Sequence, residues 1–138
     1  MVEIEQGWLP GERLRERLRR TKRGGEVSYY RTIKLGRGVQ RVELEEETTQ
    51  RVFDHLWTLT EGCRIRKRRY EVPDGDLVWE IDEFIGRELV LAEVELSSPE
   101  LIPTLPAWLA GHVVDEVTDD GRYTNLSLAQ EGLPGAGS

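Results

Sequence analysis

The chain has 138 residues, which fits one domain and leaves little room for a second. Lys and Arg number 19 against 26 Asp and Glu, a net charge of −7, and the 38% hydrophobic fraction is enough for one core. That balance argues against a dedicated nucleic-acid binder, and no apolar run approaches the roughly 20 residues that span a bilayer. Met1 leads into Glu3 and Glu5 rather than a basic and then apolar leader. A single cysteine, Cys63, makes neither an internal disulfide nor a Cys-based zinc site, and His55 and His112 are too few for a His-rich centre. A cytoplasmic protein with no membrane and no nucleic-acid partner is therefore expected.

In chain order, most segments read as strands between turn residues. Glu3–Leu9 ends at Pro10-Gly11, and Leu14–Arg20 alternates arginine and leucine in a way that also suits a helix. Gly24-Gly25 breaks the chain before a strand at Val27–Leu35; Gly36-Arg37-Gly38 then turns into another at Val39–Glu46. The stretch after Thr48-Thr49 differs, because Val52, Phe53, Leu56 and Trp57 form a helical stripe with a hydroxyl ready to cap its start. Strand signals resume at Arg64–Val72, Leu77–Ile85 and Leu89–Leu96, with Pro73-Asp74-Gly75-Asp76 as a hairpin turn. Ser97–Trp108 carries three prolines and reads as an irregular cover with a short helix; 116–129 read as a turn and a helical segment. The domain is 1–130, followed by a Gly- and Pro-rich tail, 131–138, read as disordered. Many short strands with hairpin turns and one sizeable helix point to an antiparallel barrel or strongly curved sheet.

Residues two apart on a strand share a face, and on that rule the charges form ladders. Arg17 pairs with Arg19, Lys67 with Arg69, Glu80 with Asp82 and Glu93 with Glu95, while Arg41, Glu43 and Glu45 share another face. One reading is an ordinary sheet with a salt-bridged solvent face. The other follows from the sorting of the ladders by sign. Lining an enclosed barrel, the basic ladders bind a polyanion and the acidic ladders hold a divalent cation through carboxylate oxygens. Metal plus fixed positive charge around a phosphate chain favours attack at phosphorus.

At these residues the chain resembles the CYTH domain, or triphosphate tunnel metalloenzyme, family. Its blocks come in family order: Gln6-Gly7-Trp8-Leu9, Arg17-Leu18-Arg19, Thr32-Ile33-Lys34, Arg41-x-Glu43-x-Glu45, and Lys67-x-Arg69-Tyr70. Trp79-Glu80-Ile81-Asp82-Glu83-Phe84, Ala92-Glu93-Val94-Glu95-Leu96 and Glu116 through Asn125 complete the set. The resemblance implies a mostly β fold, an antiparallel eight-stranded tunnel-like barrel with one main helix and short C-terminal helices. It implies phosphate-binding roles for Arg17, Arg19, Lys34, Lys67 and Arg69, with Arg122 at the tunnel rim. It also implies Mg²⁺ or Mn²⁺ held by Glu93, Glu95, Glu80 and Asp82, and Glu43 or Glu45 orienting the attacking water. Two features depart from the family: Thr124 stands where relatives often carry Lys, and the family's first strand reads Glu-x-Glu-x-Lys, whereas here Glu3-Ile4-Glu5 runs straight into the second block and Gly7 stands where the lysine belongs. The expectation is a tunnel lacking its first strand, with an unpaired edge that invites a homodimer.

The function expected is metal-dependent hydrolysis of a small triphosphate or polyphosphate. The alternatives are a non-catalytic polyphosphate- or nucleotide-binding module and a class IV adenylate cyclase-like activity. Among the remaining residues, Trp57, Trp79 and Trp108 read as core or tunnel-end packing. Cys63 reads as a small buried residue, His55 and His112 as structural or exposed, and Arg64, Arg66 and Arg68 as solvated.

Overall fold

The structure is a computed structural model that describes residues 1–11, 14–36, 42–96, 104–113, 116–118 and 120–131. Seven strands form one sheet: β1 Val2–Trp8, β2 Leu14–Arg23, β3 Glu26–Leu35, β4 Val42–Thr48, β5 Arg64–Asp74, β6 Leu77–Phe84 and β7 Val90–Val94. Their spatial order is β4-β3-β2-β1-β5-β6-β7, and every neighbouring pair is antiparallel.

The basic stretch after Leu14 is a strand and not a helix, and it continues to Arg23. Gly24 and Gly25, at φ +56° and +87°, make a two-residue hairpin turn that places Arg23 opposite Glu26. Glycine adopts that pair of left-handed conformations without steric cost, and the turn's twist matches the strands it joins. The strand expected from Val39 is described from Val42, and Arg41 lies outside the described residues, as does the tail from 132 on. β7 ends at Val94, so Glu95 falls just past it. Seven strands are described, the number left when an eight-stranded tunnel lacks one, and β4 and β7 each have one neighbour among the described residues.

β1 is the seam of the sheet, pairing β2 on one side and β5 on the other. Gln6 lies between Arg19 and Ile65, and Gly7 between Leu18 and Arg64, so alternate β1 residues serve opposite faces.

One face is covered by helix α1, Gln50–Trp57, whose first turn is capped by the Thr49 hydroxyl accepting from the Val52 amide at 3.2 Å. Buried Phe53 carries the contact, its ring 5.0 Å from Tyr29 and 5.0 Å from Trp57. A 3-10 turn, Thr58–Thr60, then lies so close to β1 that a Cβ on Gly7 would sit 2.7 Å from the Thr60 hydroxyl and 2.7 Å from the Trp57 ring. Only glycine admits that approach. Arg64 locks the same corner and is not the solvated residue expected. Its guanidinium lies 4.6 Å over the Trp57 ring and donates to the Trp57 carbonyl at 2.6 Å and to Thr60 Oγ1 at 2.8 Å.

The other face carries the charge ladders, and its apolar end is small. Ile65 and Phe84 pack there with Leu128 and Ala129 of helix α3, Asn125–Glu131. A one-turn helix α2, Ala107–Ala110, precedes it. Trp79 is buried and Trp57 half-buried, but Trp108 of α2 is 46% exposed and belongs to no core.

Candidate active site

The register gathers the predicted cations. On one face β1 sets Trp8 beside Arg17 and Gln6 beside Arg19 of β2, and Ile4 beside Lys67 and Val2 beside Arg69 of β5. β3 adds Thr32 opposite Arg17 and Lys34 opposite Arg15; β4 adds Glu45 opposite Thr32 and Glu43 opposite Lys34. On the far side, β6 sets Asp82 opposite Arg69, and β7 sets Glu93 opposite Glu80.

Two of these charges, Lys67 and Asp82, are fully buried. Lys67 is 1% exposed and Asp82 2%, values that a solvated ladder does not reach. Asp82 is the hub. One oxygen lies 2.9 Å from Lys67 Nζ and accepts from Arg69 Nη2 at 2.9 Å; the other accepts from Arg69 Nε at 2.8 Å. Arg69 also bonds Glu80 through its remaining nitrogen. Lys67 makes a further, longer contact at 3.4 Å with the Asn125 side-chain oxygen, and its ammonium sits 5.6 Å from the centre of the Phe84 ring.

Burial and mutual repulsion act on the cations together. Burial lowers Arg19 to about 10, and Arg17 and Arg69 add to the effect because like charges disfavour one another. Arg17 is lowered by burial against the opposing pull of Glu45 and Glu43. Burial also lowers Lys67, with Asp82 opposing it and Arg69 and Arg19 reinforcing it. Burial alone would raise Asp82; the Arg69 hydrogen bonds and the Lys67 charge outweigh it and hold the carboxyl below its ordinary value. The Asp82 hydrogen bond raises Arg69 in spite of burial. Burial is the main cause of the lowering at Arg17, Arg19 and Lys67, and neighbouring cations add to it only at Arg19 and Lys67.

Not every predicted residue joins this group. Arg122 sits in a 3-10 turn, Gly121–Tyr123, is largely exposed and is bonded to Asp120, with Nη2 2.6 Å from Oδ2. Glu43, Glu45, Glu93 and Glu95 are exposed at the margin of the charged face. Three further residues belong to it. Gln6 is fully buried and, with its amide oxygen turned to the guanidinium, accepts from Arg19 Nε at 2.7 Å. Thr32 Oγ1 accepts from Arg17 Nη2 at 3.1 Å, and Asn125 reaches Lys67. The period of two on β1 and β3 carries the signal for Gln6 and Thr32, since each alternates with residues of the opposite face.

The carboxylates have the hard-oxygen chemistry of a Mg²⁺ or Mn²⁺ site, yet no group of three or more His, Cys, Asp or Glu converges among the described residues. Asp82 does not fit as a ligand, because both its oxygens are taken by Lys67 and Arg69. Mg²⁺ bound to phosphate needs only one or two protein carboxylates, and Glu80 and Glu93, cross-strand neighbours on β6 and β7, are the carboxylates that would hold it there.

No family model matches the chain. It is 38% identical over 136 residues to an inorganic triphosphatase of Nitrosomonas europaea, covering 93% of this chain and 84% of that protein. The chain belongs to the CYTH-type triphosphatase family. A second relative, the inorganic triphosphatase of Acetivibrio thermocellus, is 35% identical over 73% of this chain and 65% of its own length. The solved structure of an inorganic triphosphatase matches with a TM-score of 0.69 at 35% identity, over 94% of this chain and 85% of that one. The chain shares its fold with that structure; its described residues form an antiparallel β sheet with few helices, none of them long and apolar enough to cross a membrane.

Proposed function

We propose that the chain hydrolyses a triphosphate, inorganic tripolyphosphate being the class its relatives' names indicate, on the charged face of its sheet. The observation that carries this reading is the gathering of Arg17, Arg19, Lys67 and Arg69 around the β1 seam, with buried Lys67 and Asp82 among them. The four cations, with Lys34 at the margin, bind the phosphate oxygens and stabilise the charge that builds on the leaving phosphate. Glu43 or Glu45, on β4 beside Arg17 and Lys34, orients a water molecule. Its oxygen bonds to a terminal phosphorus as the bridging P–O bond breaks, and its proton passes to the carboxylate. Mg²⁺ or Mn²⁺ would be held by Glu93, Glu95 and Glu80 with the substrate's own oxygens and would supply further positive charge there. In this reading an eighth strand beside β4 or β7 completes a closed tunnel. Arg122, on the C-terminal segment, acts only when substrate draws it away from Asp120.

Binding without turnover is the second reading, favoured by the lack of a convergent carboxylate group among the described residues. Phosphate release from tripolyphosphate with added Mg²⁺ or Mn²⁺ separates the two. Steady release supports hydrolysis; saturable binding with no release leaves the module; neither rejects both.

A further inference from the structure

The four cations of the charged face are held in two different ways. Lys67 and Arg69 bond directly to carboxylates, Asp82 for both and Glu80 for Arg69. Arg17 and Arg19 make no ion pair among the described residues. Their direct partners are neutral oxygens, Thr32 Oγ1 for Arg17 and the Gln6 side-chain carbonyl for Arg19.

The distinction has electrostatic consequences. A neutral acceptor fixes the direction of a guanidinium but leaves its charge whole, whereas a carboxylate fixes the direction and cancels the charge. Gln6 is 0% exposed and Thr32 is 1% exposed, so these acceptors sit where water does not substitute for them. Gln6 takes two N–H groups of Arg19, and among the described residues that fork's other donors are unclaimed and the buried Nε of Arg17 has no partner. Carboxylates act on these two arginines only across space, Glu45 and Glu43 on Arg17 and Glu45 and Asp82 on Arg19.

We propose that Gln6 and Thr32 are positioning residues that aim Arg19 and Arg17 at the phosphate chain without neutralising them, so that β2 holds the excess positive charge that sets affinity for a triphosphate. The β5–β6 side, already compensated by Asp82 and Glu80, orients the chain more than it attracts it. This rests on the triphosphate reading of the same face.

The test is calorimetric titration of tripolyphosphate into the full chain, at several salt concentrations, for the parent, Gln6→Glu and Gln6→Met. Gln6→Glu keeps the size and the acceptor oxygen but brings a carboxylate to Arg19. It should weaken binding by roughly tenfold or more, and it should flatten the dependence of Kd on salt because one cation has been cancelled. Gln6→Met keeps the charge and loses the aim, so it should weaken binding while leaving the salt dependence as in the parent. A purely structural role would move the affinity of both variants and the salt slope of neither. Thermal melting checks that each variant is folded, and if Gln6→Glu is not, Thr32→Asp puts the same question to Arg17. Parental affinity and salt slope in the folded carboxylate variant would overturn the proposal alone. A parent that does not bind tripolyphosphate would overturn the triphosphate reading and the proposal together.

Discussion

Lys67 Nζ and Asp82 Oδ2 are 2.9 Å apart, and the two side chains are 1% and 3% exposed, so an ion pair is buried where β5 meets β6. Breaking such a pair by removing one partner strands the other charge in a poor solvent. Asp82→Asn is expected to cost about 3–5 kcal/mol of stability. Urea unfolding measures it, and a loss below about 1 kcal/mol would show that the pair is solvated.

The same carboxyl sets an acid limit. Arg69 and Lys67 hold the folded Asp82 below its ordinary value of 3.8 in spite of burial. The unfolded chain therefore takes up this proton more readily than the folded one. The resulting stabilisation is fully present above the ordinary value and is lost as pH falls through the lower, folded value. Stability measured from pH 6 downward should decline in that acid window in the parent. It should decline less steeply in Asp82→Asn, where nothing titrates at this position.

Gly7→Ala tests the packing that holds α1 to the sheet. The added methyl would meet Thr60 and the Trp57 ring at 2.7 Å, neither of them free to retreat. A loss of about 1–3 kcal/mol in unfolding free energy is expected. Because Gly7 faces away from Arg19, tripolyphosphate affinity of the folded fraction should stay near parental. A large loss of affinity at unchanged stability would place this residue in the binding machinery.

Treatment with a chelator should abolish phosphate release, and Mg²⁺ or Mn²⁺ should restore it. Glu93→Gln should raise the metal concentration needed for half-maximal rate by roughly tenfold, since one of very few carboxylate ligands is gone. An unaltered metal requirement in that variant would move the ion away from β7.

Period-two alternation in Arg17-Leu18-Arg19, Lys67-Arg68-Arg69 and Glu80-Ile81-Asp82 makes the charged face legible in the sequence, because strand geometry alone decides which residues share a side. The direct pairing of Lys67 and Arg69 with Asp82 is not legible there. It depends on cross-strand register set by the Asp74-to-Leu77 turn, and spacing within one strand does not contain it. Asp82 therefore reads as a metal ligand by pattern, although its oxygens are already bonded. Gln6 and Thr32 carry no charge, so the charge ladders pass over them, and only the alternation of β1 and β3 places them on the face of Arg19 and Arg17. Arg64 reads as solvated because its alternation puts it opposite Lys67, and nothing local shows that Trp57, seven residues earlier, folds back beneath it. Trp108 misleads in the other direction, since an aromatic residue among prolines suggests burial and here lies open.

The central claim is that the arginines of β2 hold the triphosphate on the charged face. Thermal melting of the full chain with and without tripolyphosphate, in the parent and in the double variant Arg17→Ala and Arg19→Ala, tests it most directly. The account predicts a rise in Tm with ligand in the parent and none in the folded double variant. An equal rise in both would place the ligand elsewhere and contradict it.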